Sequence, residues 1–141
     1  MGDSQKPWSE LASSSLLLKA VASWRTDPEE WLKSSFDRLP ETVRVNPLRS
    51  DRKWVEEWLS DSGANRIEWF KGPGSAWEMP FTRGSAEGQT RELLKALHET
   101  GRLTRQELVS MIPVLAMDIT PGETVLDMCA SPGSKTTQIA E

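Results

Sequence analysis

The chain has 141 residues, with 17 lysines and arginines, 21 aspartates and glutamates, and a net charge of −4. This charge excludes a protein that is cationic over its whole surface, although it still allows a local basic face. The single cysteine and the single histidine exclude an internal disulfide and a zinc site built from Cys and His. Seven tryptophans predict a folded core, and no apolar run approaches the length of about 20 residues that spans a bilayer.

Two helices are predicted in the first 40 residues. Ser9 can cap a helix that runs to about Trp24. The second helix begins with Asp27 as the N-cap, a proline at the first helical position, and Glu30 where a capping box needs an acid. Pro40 is predicted to end this helix. The side predicted to be buried consists of Trp31, Leu32, Phe36 and Leu39.

The pattern of residues 42–81 predicts a small α/β domain. Val43 and Val45 alternate with a polar residue in a strand, and a helix follows that is opened by Ser50 or Asp51. A strand–helix–strand unit of this length predicts a sheet with its helices on one face. The two later strands are expected at 66–70 and 77–81.

A second unit is predicted to begin near Gly84. Helices are expected at 87–100 and 106–117, and Thr124–Met128 is predicted to be a buried strand that leads through a loop to a helix at Ser134. One parallel strand cannot bury both of its faces without neighbours. Residues from about 124 onward are therefore expected to be poorly ordered when no such neighbours are present.

The segment from Val125 to Thr136 carries the candidate site. An apolar strand that runs into small residues and then a helix start is typical of the ligand cleft in an open parallel sheet. A Walker P-loop would need glycines in place of Ser134 and Cys129, and a dinucleotide fingerprint would need three spaced glycines. What remains is a cleft for a nucleoside with an amino-acid tail, such as S-adenosylmethionine, whose carboxylate would lie near the helix start and Lys135.

Residues Leu126–Thr136, with the sequence LDMCASPGSKT, resemble the cofactor motif LDMCAAPGSKT of the RsmB/NOP-type (Nop–Sun) RNA cytosine-5 methyltransferases. The similarity covers about Gly101–Glu141, and Arg44-Val45-Asn46-Pro47 is similar to the start of the small domain that precedes the family's catalytic domain. Two residues depart from the family pattern. Ser131 replaces the usual second alanine, and Val114 replaces a proline.

The resemblance implies an α/β protein in two parts. Residues 1–83 would form amino-terminal helices and a small α/β, RRM-like domain that docks RNA. Residues 84–141 would supply the first strand and helix of a truncated Rossmann-like methyltransferase domain. The implied cofactor is S-adenosyl-L-methionine. Its predicted binding residues are Cys129, Ala130, Ser131, Pro132, Gly133, Ser134 and Lys135.

The resemblance also implies the reaction, which is methylation of cytosine at C5 in tRNA or rRNA. Family members use two cysteines on later strands: one attacks C6 of the base, and the other helps to release the product. Cys129 matches the cysteine of the cofactor motif and neither of the two catalytic cysteines. The resemblance therefore implies that the catalytic residues lie beyond Glu141. The chain is expected to be an inactive amino-terminal fragment. The alternatives are a non-catalytic RNA-binding module of the same shape and a methyltransferase that acts on another substrate.

A basic stretch between Arg38 and Lys53 contains five basic residues and two acids. Such a cluster is either a solvated face or a source of sequence-independent affinity for RNA phosphates. The expected partner is RNA, without a membrane or a metal, and the expected state is a monomer in the cytoplasm, or in the nucleus or nucleolus of a eukaryote. The predicted RNA-binding residues are Arg44, Arg49, Arg52 and Lys53.

Overall fold

The computed structural model describes residues 15–141 of the chain, which divides into two compact units, Met1–Arg38 and Leu39–Glu141. The described part of the first unit contains helix α1 (Leu16–Val21), whose N-cap Ser15 accepts a hydrogen bond from the backbone N–H of Leu18 at 3.2 Å. The helix start predicted at Ser9 lies outside the described residues. Within residues 15–141, no helix has the length and apolar character needed to cross a membrane.

Helix α2 (Pro28–Ser34) begins where the sequence predicts and ends earlier. The Asp27 carboxylate accepts hydrogen bonds from Arg25 at 2.9 and 2.7 Å and does not cap the helix. The hydroxyls of Ser34 and Ser35 donate back to carbonyls of the preceding turn, at 2.9 and 2.6 Å, and such bonds compete with helix continuation.

The early end of α2 changes which side chains are buried. Leu32 is buried as predicted, whereas Phe36 and Leu39 are 58% and 56% exposed, so the prediction that they are buried is wrong. They lie beyond the last helical turn, where the helical spacing no longer places them on one face. Pro40 begins a strand and does not end the helix.

The second unit contains a four-stranded antiparallel sheet with two helices, and this mixed α/β composition confirms the predicted class at that level. The strands lie in the spatial order β2-β3-β1-β4, and the elements follow each other along the chain as β-α-β-β-α-β. These elements are β1 (Pro40–Val45), α3 (Arg52–Asp61), β2 (Asn65–Arg66), β3 (Ser75–Thr82), α4 (Gly88–Glu99) and β4 (Leu103–Arg105). The strand predicted at 66–70 is thus much shorter, and the one predicted at 77–81 is longer.

One face of the sheet packs against α3 and α4. Val43 lies opposite Trp77, and Val45 lies opposite Leu103, so these side chains project to the same side. Their cluster also contains the apolar side of the two helices, namely Val55, Leu59, Leu94 and Leu97. Helix α4 and strand β4 therefore complete the sheet and core of residues that precede position 84, and the chain is not divided at the predicted boundary between 83 and 84.

The opposite face of the sheet is covered by two further helices, α5 (Leu108–Ala116) and α6 (Ser134–Ala140). Helix α5 continues through Pro113, and its Met111 packs with Phe70 and with Ala76 of β3. Residues 41–45 of β1 are all buried, because this central strand has neighbours on both edges and side chains packed on both faces.

The strand predicted at Thr124–Met128 is absent from the structure. No strand of the described residues pairs with this segment, and Leu126 and Met128 are 82% and 87% exposed. A parallel strand is stable when neighbours complete its hydrogen bonds and cover both faces, and neither condition is met along these residues. The prediction of a buried strand is therefore wrong.

Candidate functional site

Asp127 organises the loop that leads into α6. One carboxylate oxygen accepts a hydrogen bond from the backbone N–H of Cys129 at 2.9 Å, and the other accepts from the hydroxyl of Thr136 at 2.6 Å. The hydrogen bond from Thr136 and the one from Cys129 hold the pKa of Asp127 below its usual range, and the charge of Lys135 acts in the same direction. The ionised carboxylate thus ties the start of the loop to the first turns of α6.

The loop itself presents small, exposed residues. Gly133, the N-cap residue of α6, has a φ of 101°, in the left-handed region that residues with side chains disfavour. The Ser131–Pro132 peptide is cis. Cys129 is a free, exposed cysteine. Residues 129–132 are exposed, so a ligand can approach the backbone of the loop without displacing a bulky side chain.

Lys135 brings a positive charge to the same loop. Its Nζ donates a hydrogen bond to the hydroxyl of Ser110 at 2.9 Å, which places the ammonium between α5 and α6. The side chain is exposed. A carboxylate or another anion that binds over the loop would therefore find an ammonium group at its edge.

A cavity lies on another part of this unit. It has a volume of about 590 Å³ and is lined by Gly72, by Leu115 of α5, by residues 118–123 and by the end of α6. None of residues 129–135 lines it. The predicted cofactor-binding residues therefore lie outside this cavity, and residues 129–132 among them are exposed.

Arg44 lies in the interior, and this corrects its predicted role. It is 1% exposed, its Nε donates to the side chain of Gln106 at 3.2 Å, and its Nη2 donates to the hydroxyl of Thr137 at 3.1 Å. It also forms an ion pair with Glu141. Burial lowers the pKa of Arg44 to about 10, so the guanidinium is still charged at neutral pH. Because its donors are enclosed and used, the prediction that Arg44 contacts RNA phosphates is wrong.

The other three predicted RNA-binding residues lie at or near the surface. Arg52 pairs with Glu56 at 2.9 Å, and Lys53, 90% exposed, lies 3.8 Å from Glu57. Arg49 is exposed and donates from Nε to the carbonyl oxygen of Gly101 at 3.2 Å. Within the described residues, Arg49 is the member of this group that has no carboxylate within ion-pair distance.

A fourth cation joins this surface from a distant part of the sequence. Arg102 pairs with Asp51 at 2.5 Å, and Gly101 packs so closely under Arg49 that a Cβ there would lie 3.0 Å from Nη2. Sequence reasoning missed Arg102, because β4 lies beside β1 only in the folded sheet. We call Arg49, Arg52, Lys53 and Arg102 the basic corner.

The described residues contain no group of three or more His, Cys, Asp or Glu side chains that could hold a metal ion. The acids of the basic corner are instead engaged with arginines and a lysine, as in the pair of Asp51 with Arg102. The candidate chemistry of this unit therefore rests on the loop around Asp127 and on the basic corner.

Comparison with known proteins shows that the chain is similar to part of several RNA methyltransferases. It is 32% identical over 162 residues to the multisite-specific tRNA:(cytosine-C(5))-methyltransferase of Saccharomyces cerevisiae, covering 97% of this chain and 24% of that protein. It is 34% identical over 116 residues to the tRNA (cytosine(49)-C(5))-methyltransferase of Pyrococcus abyssi, covering 82% of this chain and 35% of that protein. A third relative is the 26S rRNA (cytosine-C(5))-methyltransferase nsun-1 of Caenorhabditis elegans, at 32% identity over 79% of this chain and 16% of that protein.

The fold has a counterpart among solved structures. The crystal structure of PH0851 matches with a TM-score of 0.64 and 24% sequence identity, over 99% of this chain and 31% of that one. No protein-family profile matches the chain. The alignment with the S. cerevisiae relative nevertheless extends over 97% of this chain, so it includes both the sheet and the loop around Asp127. The chain belongs to the RsmB/NOP-type (Nop–Sun) family of RNA cytosine-5 methyltransferases, and it spans between about a quarter and a third of the length of the first two relatives.

Proposed function

We propose that the chain supplies the RNA-docking surface and the methyl-donor loop of an S-adenosylmethionine-dependent methyltransferase that modifies C5 of cytosine in tRNA or rRNA. The loop around Asp127 carries this proposal, because an ionised carboxylate holds small, exposed residues beside the ammonium of Lys135. A relative whose alignment includes this segment is named as a cytosine-C5 methyltransferase of tRNA, and another relative is named as one of rRNA.

The chemistry of the loop fits the methyl donor. The donor would supply a methyl group on a positively charged sulfur, and its amino-acid tail carries a carboxylate. Lys135 would pair with that carboxylate, while the exposed backbone of Cys129, Ala130 and Ser131 would contact the body of the donor. Pro132, Gly133 and Ser134 would set the turn into α6. These assignments make Cys129 a lining residue and not a nucleophile.

For RNA, we propose that the unit in β-α-β-β-α-β order is an RRM-like domain that docks RNA through its basic corner. RRM domains commonly stack bases on the open face of the sheet. Here that face is covered by α5 and α6, and its central side chain, Arg44, is buried. Phosphate contacts at the basic corner do not need the sheet face. Arg49 is the strongest candidate there, because it has no acidic partner among the described residues.

We further propose that residues 1–141 by themselves transfer no methyl group. The chain contains one cysteine, Cys129, and this residue belongs to the donor loop. Covalent attack on C6 of cytosine needs a thiolate beside the base, in addition to the donor. Incubation of the chain with a radiolabelled donor and tRNA or rRNA should leave the RNA unlabelled, and labelled cytosine would contradict this assignment.

Binding of the donor is the direct test of the proposal. Calorimetric titration of the chain with S-adenosylmethionine should give saturable binding, and Lys135→Met should weaken it by about tenfold because one charge-assisted contact is lost. Lys95→Met is the matched control, because Lys95 is an exposed lysine on α4 that lies 3.9 Å from Glu99 and is absent from the loop. We expect this control to bind as the unchanged chain does.

Absence of saturable binding, or equal weakening in both lysine variants, would contradict the assignment of the loop. The second candidate, a non-catalytic RNA-binding module, is favoured by one observation. Residues 124–128 form no strand. A chain that binds RNA with a steep salt dependence but ignores the donor would establish the module in place of the methyltransferase.

A further inference from the structure

A buried polar cluster joins the middle of the sheet to helix α6. We call it the arginine cluster. Its centre is Arg44 on β1, which donates to the Gln106 side chain at 3.2 Å, to the Thr137 hydroxyl at 3.1 Å and to the carbonyl oxygen of Ser134 at 3.4 Å. The members of the arginine cluster are Arg44, Gln106, Thr137, Gln138 and Glu141.

The members of the cluster other than Thr137 have buried side chains, and the hydrogen bonds of the cluster are complete. The Arg44 and Glu141 side chains are 1% and 8% exposed, and they form an ion pair. Gln106 also donates a hydrogen bond to the side chain of Gln138 at 2.8 Å, and Gln138 donates to the carbonyl oxygen of Met111 at 3.1 Å. No buried side-chain nitrogen or oxygen of the described residues lacks a partner. A fully satisfied buried network is directional and favours one placement of α6 against the sheet.

The cluster and the loop meet on adjacent residues of α6. Thr137 accepts a hydrogen bond from Arg44, while its neighbour Thr136 donates to Asp127 at 2.6 Å. Asp127 in turn accepts from the backbone of Cys129. Hydrogen bonds therefore join the central strand to Thr137 of α6 and join Thr136 of α6 to the exposed loop, and the backbone of α6 links the two threonines.

Packing alone does not explain an arginine at this position. The residue opposite Arg44 on β3 is Ala76, and the apolar side chain of Met111 lies on the same face of the sheet. A well-packed apolar side chain is often as stabilising as a buried ion pair, and it avoids the cost of removing a charge from water. An apolar side chain, however, cannot hold three separate points of one helix by directed bonds.

We propose that Arg44 is a positioning residue, which fixes α6 against the sheet and thereby holds the loop of residues 129–135 in the shape that binds the methyl donor. This inference rests on the proposed function of the loop. Arg44 touches neither the donor nor the RNA. It acts through Thr137 and α6, and it makes the sheet unit part of the support for the donor loop.

The test compares variants that differ in one contact of the cluster. Thr137→Val removes the acceptor for Arg44 at an exposed position and keeps the shape of the side chain, whereas Thr137→Ser keeps the hydroxyl. Arg44→Lys keeps the positive charge but loses the planar arrangement of N–H donors of the guanidinium group. Leu59→Ala destabilises the opposite, apolar face and is the control for a general loss of stability. For each variant, calorimetry measures donor affinity, fluorescence anisotropy measures RNA affinity, and thermal unfolding gives Tm.

We expect Arg44→Lys to weaken donor binding by about tenfold and Thr137→Val by about threefold, because charge-assisted hydrogen bonds to α6 are lost. Thr137→Ser and Leu59→Ala should bind the donor within about twofold of the unchanged chain, although Leu59→Ala lowers Tm. RNA affinity should not change in the cluster variants. If Leu59→Ala weakens donor binding as much as Arg44→Lys does, or if folded Thr137→Val binds like Thr137→Ser, the proposal is overturned.

A separate readout distinguishes failure of this inference from failure of the proposed function. If the unchanged chain does not bind the donor, the proposed function fails, and hydrogen exchange of residues 127–137 then tests the arginine cluster alone. Faster amide exchange in Thr137→Val than in Thr137→Ser would support positioning of the loop by Arg44. Equal exchange in the two variants would overturn it.

Discussion

The two faces of the sheet are packed by different interactions. On one face, Val43 and Val45 meet the apolar sides of α3 and α4, and the contacts have no preferred direction. On the other face, Arg44 meets α6 through hydrogen bonds and an ion pair, with Gln106 and Gln138 at its side. Apolar burial is sufficient to stabilise the fold, whereas the polar face also determines where a particular helix lies. The difference indicates that the second face positions the loop around Asp127 as well as stabilising the sheet.

The largest expected effect is on the polar face. Arg44→Ala leaves the Glu141 carboxylate and the side-chain oxygen of Gln106 buried without Arg44 as their partner, and this should lower the free energy of unfolding by about 3–5 kcal/mol. The double variant Arg44→Met/Glu141→Leu removes both charges and should recover most of that loss. Urea unfolding monitored by tryptophan fluorescence measures both values. A single variant that is as stable as the double variant would show that the ion pair is not desolvated.

A smaller effect tests the ionic contact beside the apolar face. Burial raises the pKa of Glu41, but hydrogen bonds from Arg105 and from the backbone of Gly84, together with the charge of Arg105, outweigh it and place this pKa below its ordinary value. A carboxyl whose pKa is lowered by folding stabilises the protein above its unfolded pKa, about 4.3 for glutamate. We therefore expect the Glu41 carboxylate to add a constant amount to the free energy of unfolding at neutral pH. This amount is lost as the pH falls through the pKa of Glu41 in the folded state.

Glu41→Gln is the variant that isolates this contribution. Denaturant unfolding between pH 2 and pH 7 gives the free energy of unfolding at each pH. As the pH falls through this acid limb, the free energy of unfolding should decrease less for Glu41→Gln than for the unchanged chain. Identical acid limbs would show that Glu41 does not carry the expected linkage. Arg105→Gln should reduce the same limb, because it removes the donor that lowers the pKa of Glu41.

The smallest expected effect concerns RNA, and it follows from closure of the polar face. If that face is not available to bases, RNA affinity depends on the basic corner and not on the centre of the sheet. Arg49→Ala should weaken RNA binding by about threefold and reduce the slope of log affinity against log salt by about one. Arg52→Ala should have a smaller effect, because Glu56 already neutralises Arg52. Fluorescence anisotropy with tRNA at several salt concentrations measures both.

An Arg49→Ala variant with unchanged RNA affinity and salt slope would contradict docking at the basic corner. Val109→Asp provides a check on the other side of the unit, because Val109 is an exposed residue of α5 that lies outside the basic corner. If RNA affinity falls in this variant alone, the RNA docks on α5 and not on the basic corner.

Local sequence signals were sufficient for several features of the chain. The Pro28 start of α2, the alternation of Val43 and Val45, and the helix before Gly101 each depend on residues close in sequence, and the structure contains all three elements. The motif at Leu126–Thr136 likewise identified the family, which the relatives confirm. The ends of elements were less predictable, because hydroxyl groups such as those of Ser34 and Ser35 compete for helix carbonyls in ways that spacing does not reveal.

The errors share a physical cause. Arg44 is polar and lies in an alternating strand, so its pattern predicts a solvent-facing side chain. The structure buries it because α5 and α6, more than 60 residues later, cover the second face. The segment Thr124–Met128 has the composition of a buried strand, but it pairs with no strand of the described residues. In both cases the outcome depends on partners that are distant in the chain.

The sequence by itself therefore determined the family, the motif at Leu126–Thr136, and the positions of the elements whose signals are local. Only the tertiary structure decided that Arg44 is a buried anchor and not a surface cation, that Arg102 joins the basic corner, and that residues 88–105 complete the first sheet. Burial and ion pairing arise from contacts between residues far apart in sequence. Composition and spacing describe each segment alone and contain no information about which surface will cover it.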